Sequence, residues 1–449
     1  MHVASDTRQR LIREELRRVD GQDPLGGQSV GKHVKMAADP YRFLRGAAQL
    51  FYADIKSGLL ALPAPLVDGV PLTAILGDCH LSNFGFMTEE GSHGDQVIFA
   101  PNDFDDACIG PIAWDLARFC VSLFLAADHG RGILAGRYPS EEVDDPEDLR
   151  APGQEDTLRA ARAFLRVYRR TCAAIVAGPG RRMHAVEGFR KGHVLAKPLK
   201  KARKRAAGGK HFESKSSLGK AVEYASGRPG FHNRPDRYKR LQVARAKAVC
   251  TAFRPYVYDA VLDIVQRVGA GTGSVNVARY YLLVGPDDFQ GPDDLPLCHV
   301  VEVKQQRAAA PLYHFPQLSP VNRLNPAHLT LDCQRLMQRR PDLVLDEVFW
   351  EGAHWLVRSR HHARVGIDPE DVVMDRRRPG RRLKQYAKSC AEALALAHAR
   401  GDRRSTRFEA AVVDCLAANQ DALLAATRAY ARQAIEDWGL LREMLAQAK

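Results

Sequence analysis

The clearest pattern of apolar and polar positions lies in the first quarter of the chain. Between residues 84 and 100, two apolar runs enclose a turn-rich polar segment, residues 88–95. Apolar runs on either side of such a segment predict a β-hairpin. Asp78 and Asn83 would precede its first strand, and an acidic cluster that begins at Asp103 would follow its second. One hairpin would therefore hold both groups of polar side chains.

Apolar positions spaced near 3.6 residues predict helices in much of the remaining chain. One helix begins at Pro40 and continues to about residue 56, and another begins near Trp114. Asp115 falls in the first turn of the second helix, where an acid interacts well with the helix dipole, and we expect it to cap that helix. Further predictions are a polar helix over 5–19, helices over about 155–176, 328–338, 383–398 and 407–448, and a hairpin over 346–360.

Composition limits the class of protein. The chain has 449 residues, of which 45% are hydrophobic, and this favours a folded protein of one to three domains. No apolar run approaches the ~20 residues that cross a bilayer, and the charged N-terminus lacks an apolar signal core. We therefore expect a cytoplasmic protein with no membrane partner. Nine cysteines occur singly, which favours reduced thiols over disulfides or a zinc site. The net charge of +13 favours anionic ligands without choosing among them.

The residues around the predicted hairpin suit phosphate chemistry. Oxygen ligands such as Asn83 and Asp103 suit Mg²⁺, which proteins usually hold with one or two side chains plus substrate phosphates. A carboxylate beside them, such as Asp78, could orient a hydroxyl group for phosphoryl transfer. Asp105 and Asp106 are either ligands of a second metal or solvated loop acids. We expect His80, in the same segment, to have a structural role.

Two motifs in this region resemble those of the aminoglycoside phosphotransferase and choline kinase group. The segment GDCHLSNFG resembles its catalytic loop, and NDFDDACIGPIAWDLA resembles its metal-binding segment. The resemblance implies that Asp78 is the base, that Asn83 and Asp103 bind Mg²⁺, and that Asp115 has a structural role. The two spacings of that group, five residues from base to Asn and twelve between the two Asp residues, are both present.

A longer resemblance is to a bacterial family, domain of unknown function 2252. It extends over most of the chain from about Val30 to the end. The segments that carry it are YRFLRGAAQLFYADI, GDCHLSNFGF, NDFDDACIGPIAWDLARFCVS, GAGTGSVNVARYYLLV, VEVKQQ, CQRLMQ and LALAHARGD.

A second region has the residue pattern of a β-sheet that covers a nucleotide. β-branched and aromatic residues predict strands over 275–284 and 297–304, and the second ends in Lys304. A strand, a Gly-rich loop and a Lys on a following strand resemble the part of a kinase that covers ATP phosphates. This resemblance implies that Lys304 binds the phosphates beneath a turn. Asp332, in the next predicted helix, is the candidate acid for Lys304. The turn contains Gly269, Gly271, Gly273 and Ser274.

In kinases the Gly-rich loop and Lys precede the catalytic Asp, whereas here they follow it by about two hundred residues. We therefore predict an α+β, protein-kinase-like fold of two lobes that is circularly permuted, which is allowed where chain ends lie near each other. Lys32 and Lys35 would be rival phosphate ligands if the small lobe were absent. The predicted units are a polar N-terminal extension (1–30), the first part of a helical large lobe (31–255), a small β-rich lobe (256–362) and closing helices of the large lobe (363–449).

The predicted function is an ATP- and Mg²⁺-dependent phosphotransferase whose hydroxyl acceptor, small molecule or protein, is open. One alternative is a nucleotide-binding regulatory module without transfer activity. Another is a nucleic-acid-associated protein that uses the basic run of residues 197–210, although such runs are usually solvated loops and this one has no interleaved aromatic residues. Arg42 and Arg45 are either exposed helix charges or, by the family resemblance, contacts to a phosphate or to the acidic loop.

Overall fold

A computed structural model of the chain describes residues 2–26, 31–140, 143, 147–225, 227–269 and 277–448. Helices and antiparallel sheets alternate along it, so the fold is a mixed one. In the described residues, no helix combines the length and the apolar character that crossing a membrane requires.

The described helices range in length from 4 to 41 residues, and the four that exceed 20 residues all begin after residue 110. They are α1 (His2–Asp20), α2 (Gly31–Met36), α3 (Pro40–Gly46), α4 (Ala48–Ser57), α5 (Ala64–Val67), α6 (Ile112–Leu134), α7 (Gln154–Ala177), α8 (Ala196–Arg203), α9 (Phe212–Lys215), α10 (Val243–Phe253), α11 (Pro326–Met337), α12 (Pro369–Val373), α13 (Pro379–Arg400) and α14 (Arg407–Gln447).

The strands fall into an early group near the acidic residues, a pair that forms its own two-stranded sheet, and a later group most of which forms one large sheet. They are β1 (Thr73–Ile75), β2 (Phe84–Thr88), β3 (Val97–Pro101), β4 (Cys108–Gly110), β5 (Val222–Ala225), β6 (Arg228–Phe231), β7 (Tyr238–Arg240), β8 (Ala260–Arg267), β9 (Arg279–Gly285), β10 (His299–Gln305), β11 (Leu345–Trp350), β12 (Ala353–Ser359) and β13 (Val365–Gly366).

The predicted hairpin is confirmed. Strands β2 and β3 pair antiparallel from Phe84 opposite Pro101 to Thr88 opposite Val97. Strand β13 adds to the outer side of β2, and β1 pairs separately with β4. All five residues of β2 are buried, because the hairpin lies between helices rather than at the surface. The buried hairpin therefore fixes the positions of the polar residues at its ends.

The six-stranded antiparallel sheet has the order β11-β12-β10-β9-β8-β7. Successive residues of a strand point to opposite faces. On β10, Val301 and Val303 belong to a buried apolar cluster, so Glu302 and Lys304 point to the other face. The first strand of this sheet along the chain is β7. It lies upstream of residue 256, the predicted start of the small lobe.

Long helices form the largest apolar core of the described residues. Helices α6, α7, α13 and α14 contribute most of its buried side chains, and Trp114 and Phe119 of α6 lie at its centre. Helix α1 packs on this body. Its Arg8 binds Asp54 of α4 and Asp437 of α14 through ion pairs of 2.5 Å, so the N-terminal segment is more than a polar extension.

Three local predictions differ from the structure. The helix expected from Pro40 to residue 56 is divided into α3 and α4 at Ala47, whose φ of −118° and ψ of 48° lie outside the helical region. The basic run expected as a loop begins with α8, since Leu199 and Ala202 pack into the core and hold one face of a helix. The strand expected over 275–284 is observed from Arg279, and residues 275 and 276 lie outside the described part of the chain.

Candidate functional site

A tight turn after β1 presents Asp78 at the end of the hairpin. Gly77 has a φ of +72°, and a Cβ atom there would lie 1.9 Å from the carbonyl oxygen of Asp106. Glycine is the residue that tolerates both conditions. The Tyr52 hydroxyl donates a hydrogen bond to the Gly77 carbonyl oxygen and ties the turn to α4.

Asp115 supports this turn and does not cap its own helix, so the expected capping role is wrong. The side chain of Asp115 makes no capping hydrogen bond to α6. Its two oxygens accept hydrogen bonds from the backbone N–H groups of Leu76, at 2.7 Å, and Gly77, at 3.1 Å. His398 Nε2 lies 3.1 Å from the same carboxylate, and both side chains are fully buried. This carboxylate satisfies the buried donors that precede Asp78.

The carboxylate of Asp78 is oriented by a buried arginine. Arg118 Nε donates to Asp78 Oδ1 at 2.7 Å, and His80 Nε2 lies 3.6 Å from Asp78 Oδ2. His80 therefore has an acidic neighbour in Asp78. Burial, followed by the charges of Arg45 and Arg118, lowers the pKa of His80 well below its ordinary value. His80 is thus neutral near pH 7.

Asn83 follows Asp78 on the same loop and is bound to it. Its Nδ2 donates to the Asp78 carbonyl oxygen at 2.8 Å. Its Oδ1 accepts no hydrogen bond from the residues that the structure describes, and Asn83 lines the same cavity as Asp78. The amide is thereby held with its oxygen free for a ligand.

The acidic cluster after β3 contains three carboxylates in different environments. Burial and the negative charge of Asp105 raise the pKa of Asp103 to about 6, although Lys304 and Arg358 act in the opposite direction. Burial alone would also raise the pKa of Asp105, but Lys304 and Arg358 outweigh it and hold that pKa below its ordinary range. Asp103 therefore carries a negative charge that its surroundings stabilise poorly.

Asp105 and Asp106 are both bound by protein groups and are not solvated loop acids. Lys304 Nζ forms an ion pair with Asp105 Oδ2. Asp106 Oδ1 accepts a hydrogen bond from the backbone of Ala310 at 2.8 Å, and Arg307 lies 3.6 Å from its other oxygen. These contacts join the hairpin loop to the six-stranded sheet and to the segment that follows β10.

The polar face of the six-stranded sheet is strongly charged where it meets this loop. Glu302 is contacted by Arg358 at 2.9 Å and by Arg279 at 3.3 Å. Burial opposes its ionisation, but Arg279 and Arg358 outweigh burial and lower the pKa of Glu302 well below its ordinary value. Lys304 is only 3% exposed beside this group, so its charge is largely shielded from solvent.

The loop and the sheet face together enclose a cavity of about 220 Å³. Polar and charged side chains form almost all of its lining. The lining residues are Arg45, Asp78, His80, Asn83, Asn102, Asp103, Asp105, Asp106, Val277, Arg279, Glu302, Lys304, Gln305, Gln306, Arg307, Arg358 and Arg364.

Eight residues singled out from the sequence thus line one cavity: Asp78, Asn83, Asp103 and Lys304, together with Arg45, His80, Asp105 and Asp106. Asp332 is elsewhere. It is 39% exposed on α11, and its carboxylate lies 3.2 Å from His328, while the acid that contacts Lys304 is Asp105. Lys304 thus contacts an acid of the hairpin loop instead of the expected acid of the next helix.

The Gly-rich turn is only partly described. Gly269 has a φ of +64°, as expected of a glycine turn, and it is not among the residues that line the cavity. Gly271, Gly273 and Ser274 lie outside the described residues. The described residues on either side are the end of β8 and the start of β9.

Lys32 and Lys35 do not line the cavity. Lys32 is buried and forms an ion pair of 2.6 Å with Asp20. Lys35 lies on the exposed side of α2. In these positions neither lysine competes with Lys304 for a ligand in the cavity.

Several residues of the site were missed by sequence reasoning. Arg118 had a detectable signal, since it stands alone in an apolar run of α6, and a lone charge in such a run usually needs a buried partner. Glu302 and Arg358 had no such signal in the sequence. The alternation of apolar and polar residues along a strand does not reveal whether its polar face meets solvent or another part of the protein.

The residues present fit a magnesium ion bound together with a phosphorylated ligand. Asn83 offers a free amide oxygen and Asp103 a carboxylate whose charge is unfavourable without a cation. Within the described ranges, no group of three or more His, Cys, Asp or Glu side chains is arranged to hold a metal. A site of one or two side chains, completed by phosphate oxygens, is the usual arrangement for Mg²⁺.

One comparison with known proteins identifies relatives of this chain. A family model described as "Uncharacterized protein conserved in bacteria (DUF2252)" matches residues 28–132 and 150–444. No curated protein and no solved structure matches the chain. The family match includes the Asp78 turn, the hairpin, the acidic cluster and the strand of Lys304. Because it covers well over half of the residues, the chain belongs to this bacterial family.

Proposed function

We propose that the protein is an ATP- and Mg²⁺-dependent phosphotransferase of kinase-like fold. The observation that carries the proposal is the single cavity lined by Asp78, Asn83, Asp103 and Lys304. These are the residue types of a base, two metal ligands and a phosphate-binding cation. Phosphoryl transfer depends on positioning and on stabilising charge, and these groups serve both needs.

The order of elements supports a permuted kinase-like arrangement. Strands β8 and β9 flank the Gly-rich turn, β10 carries Lys304, and helix α11 follows. Kinases carry the phosphate-binding Lys on the third strand of the small lobe and follow it with the αC helix. Here that series comes after the catalytic hairpin. Asp105, rather than an acid of the helix, is the partner of Lys304, and this is a departure from the kinase pattern.

In the proposed reaction, the acceptor hydroxyl lies against the Asp78 carboxylate. Its oxygen forms a bond to the γ-phosphorus of ATP, while the bond from that phosphorus to the bridging oxygen breaks and ADP leaves. The hydroxyl proton passes to Asp78, which Arg118 keeps in position. Lys304 stabilises the phosphate charge after exchanging Asp105 for phosphate oxygens. Bound Mg²⁺, held by Asn83 and Asp103, would neutralise charge on the phosphates.

The cysteines support a reducing, cytoplasmic location as part of the proposal. All nine are free, and seven of them are buried. Proteins of the cytosol keep thiols in this state, whereas secreted proteins tend to pair them. ATP is an intracellular substrate, so location and reaction agree.

The test is turnover of ATP by the purified protein with and without Mg²⁺, first alone and then with a panel of hydroxyl acceptors. Asp78→Asn keeps the size of the side chain and removes the base. A positioned base contributes about 10²–10⁴-fold, so turnover should fall by that factor with nucleotide affinity nearly unchanged. Equal turnover in both proteins would contradict the assignment of the base. Nucleotide binding without turnover in either protein would favour a regulatory module.

A second candidate function rests on the basic surface formed by residues 197–220. Lys200 and Lys201 are exposed on α8, and Lys201 and Arg205 lie close enough to Lys220 to act on its charge. Burial, followed by the charges of Arg205 and Lys201, lowers the pKa of Lys220. Such crowding of like charges favours a polyanion such as nucleic acid. Salt-sensitive DNA binding that is lost when Lys200 and Lys201 are changed to Gln would support it, and binding retained in that variant would oppose it.

A further inference from the structure

We propose that the phosphoryl acceptor is an alcohol that also carries a phosphate or carboxylate group, and that Arg45 binds this group beside Asp78. The inference rests on the proposed function and deepens it, because it names the class of acceptor. It is carried by Arg45, a lining arginine beside Asp78 that forms no ion pair with the described residues, whereas Lys304 and Arg358 have carboxylate partners.

Contacts of α3 hold Arg45 beside the loop that carries Asp78 and Asn83. It lies in the last turn of α3, whose first turn is capped by Asp39 through a 2.9 Å hydrogen bond from Arg42 N. Its guanidinium carbon lies 5.8 Å from the centre of the Tyr41 ring. The Tyr41 hydroxyl is 2.7 Å from Ser82 Oγ, between Asp78 and Asn83 in sequence. Tyr41, whose ring the guanidinium of Arg45 contacts, is thus hydrogen-bonded to the loop that carries the proposed base.

The guanidinium of Arg45 has unused donors. Among the described residues no carboxylate forms an ion pair with it, and its Nε is buried without a hydrogen-bond partner. Asp368 lies close enough to interact electrostatically with Arg45, yet the two form no ion pair. By contrast, Lys304 and Arg358 are paired with Asp105 and Glu302. A buried unsatisfied donor is costly, so a bound anion would stabilise this arginine.

Arg45 lies at the Asp78 end of the cavity. Its charge is the largest contribution after burial to the lowered pKa of His80, and His80 Nε2 is 3.6 Å from Asp78. Arg364, a second lining arginine without an ion pair in the described part of the chain, acts on Asp103 instead. The proposed metal and nucleotide phosphates belong to the Asp103 end. Arg45 therefore faces the acceptor rather than the nucleotide.

The chemistry of the guanidinium defines the acceptor class. Arginine presents a planar fork of donors that matches phosphate or carboxylate oxygens in pairs. An acceptor whose hydroxyl lies against Asp78 and whose anionic group lies against Arg45 would be held at two points. A polycationic aminoglycoside or a quaternary ammonium alcohol would place positive charge beside Arg45 and be repelled.

The test uses inorganic phosphate as the probe for the anionic group. Binding is measured by titration calorimetry in the presence of saturating Mg²⁺ and a non-hydrolysable ATP analogue, so that the nucleotide phosphates are already in place. Wild-type protein should bind phosphate, and Arg45→Met should weaken binding about tenfold or more, since charge-assisted hydrogen bonds are lost. Arg42→Met is the matched control, because Arg42 is paired with Asp39 and does not line the cavity. It should bind phosphate like the wild type.

Three results would overturn the proposal: no phosphate binding by the wild type, equal binding by Arg45→Met, or loss of binding whenever the nucleotide analogue is present. The last would assign Arg45 to the nucleotide phosphates. A titration without nucleotide separates the two hypotheses. Phosphate binding that depends on Arg45, in a protein that binds no nucleotide, would support the anion site and contradict the phosphotransferase.

Discussion

Lys304 on β10 and Asp105 in the loop after β3 form an ion pair between residues that are 199 positions apart in the sequence. This contact joins the six-stranded sheet to the loop that follows the hairpin of β2 and β3. The lysine is 4% and the aspartate 20% exposed at the side chain, so the pair is largely removed from solvent. Arg358, 3.6 Å from Asp105, adds a second cation to the same carboxylate.

Replacing Lys304 by Met should weaken ATP binding and also lower stability. We expect nucleotide affinity to fall about tenfold to a hundredfold, because a charge-assisted contact to phosphate is lost. The free energy of unfolding should fall by about 1–3 kcal/mol, because Asp105 loses its closest partner. Calorimetry and urea denaturation measure the two effects.

The double variant Lys304→Met/Asp105→Asn separates binding from stability. It removes both charges, so it should recover much of the lost stability while ATP binding stays weak. Such non-additivity is expected of residues in direct contact. Recovery of ATP binding in the double variant would show that Lys304 has no part in holding phosphate.

Replacing Asp103 by Ala should abolish the stabilisation by ATP that depends on Mg²⁺. A ligand that binds only the folded protein raises the melting temperature by mass action. The wild type should melt at a higher temperature with ATP and Mg²⁺ than with ATP and EDTA. The variant should show no such difference. If the difference persists in the variant, Asp103 is not a ligand of the metal.

Replacing Asp115 by Ala should destabilise the fold by about 3 kcal/mol or more, because two buried N–H groups lose their acceptor. The buried ring of His398 loses its contact with the carboxylate in the same change. Turnover should fall with stability, since these N–H groups shape the turn before Asp78. A variant with wild-type stability would mean that water replaces the carboxylate. Urea denaturation measures the free energy of unfolding of both proteins.

His129 predicts a dependence of stability on pH. Burial alone would lower its pKa, but Asp39 and Glu370 outweigh burial and raise the pKa to about 9. A group whose folded pKa is above its unfolded value near 6.5 stabilises the protein fully below pH 6.5 and loses that effect as pH rises through 9. The rise from 6.5 to 9 corresponds to about 3 kcal/mol.

His129→Gln should therefore be less stable than the wild type at pH 6, and the difference should shrink by about that amount at pH 10. His354→Gln is a suitable control, because His354 forms no ion pair with the described residues. A gap between wild type and His129→Gln that is the same at both pH values would contradict the role of Asp39 and Glu370.

Some parts of the site could be predicted from short segments. The hairpin follows from two apolar runs and a turn-rich segment, and the spacing of Asp78, Asn83 and Asp103 is local to it. Lys304 was found because a strand, a Gly-rich turn and a second strand occur in sequence. Its partner was not found, since Asp332 is near in the chain whereas Asp105 is near only in space.

By itself, the sequence determined the elements whose causes are local: the hairpin, the long amphipathic helices and the alternating strands. Only the tertiary structure decided which charges meet. It gave Asp115 two backbone donors in place of a helix cap, and among the described residues it left Arg45 without an ion-paired carboxylate. The physical reason is that an ion pair or a buried hydrogen bond depends on distance in space, and packing of distant segments sets that distance.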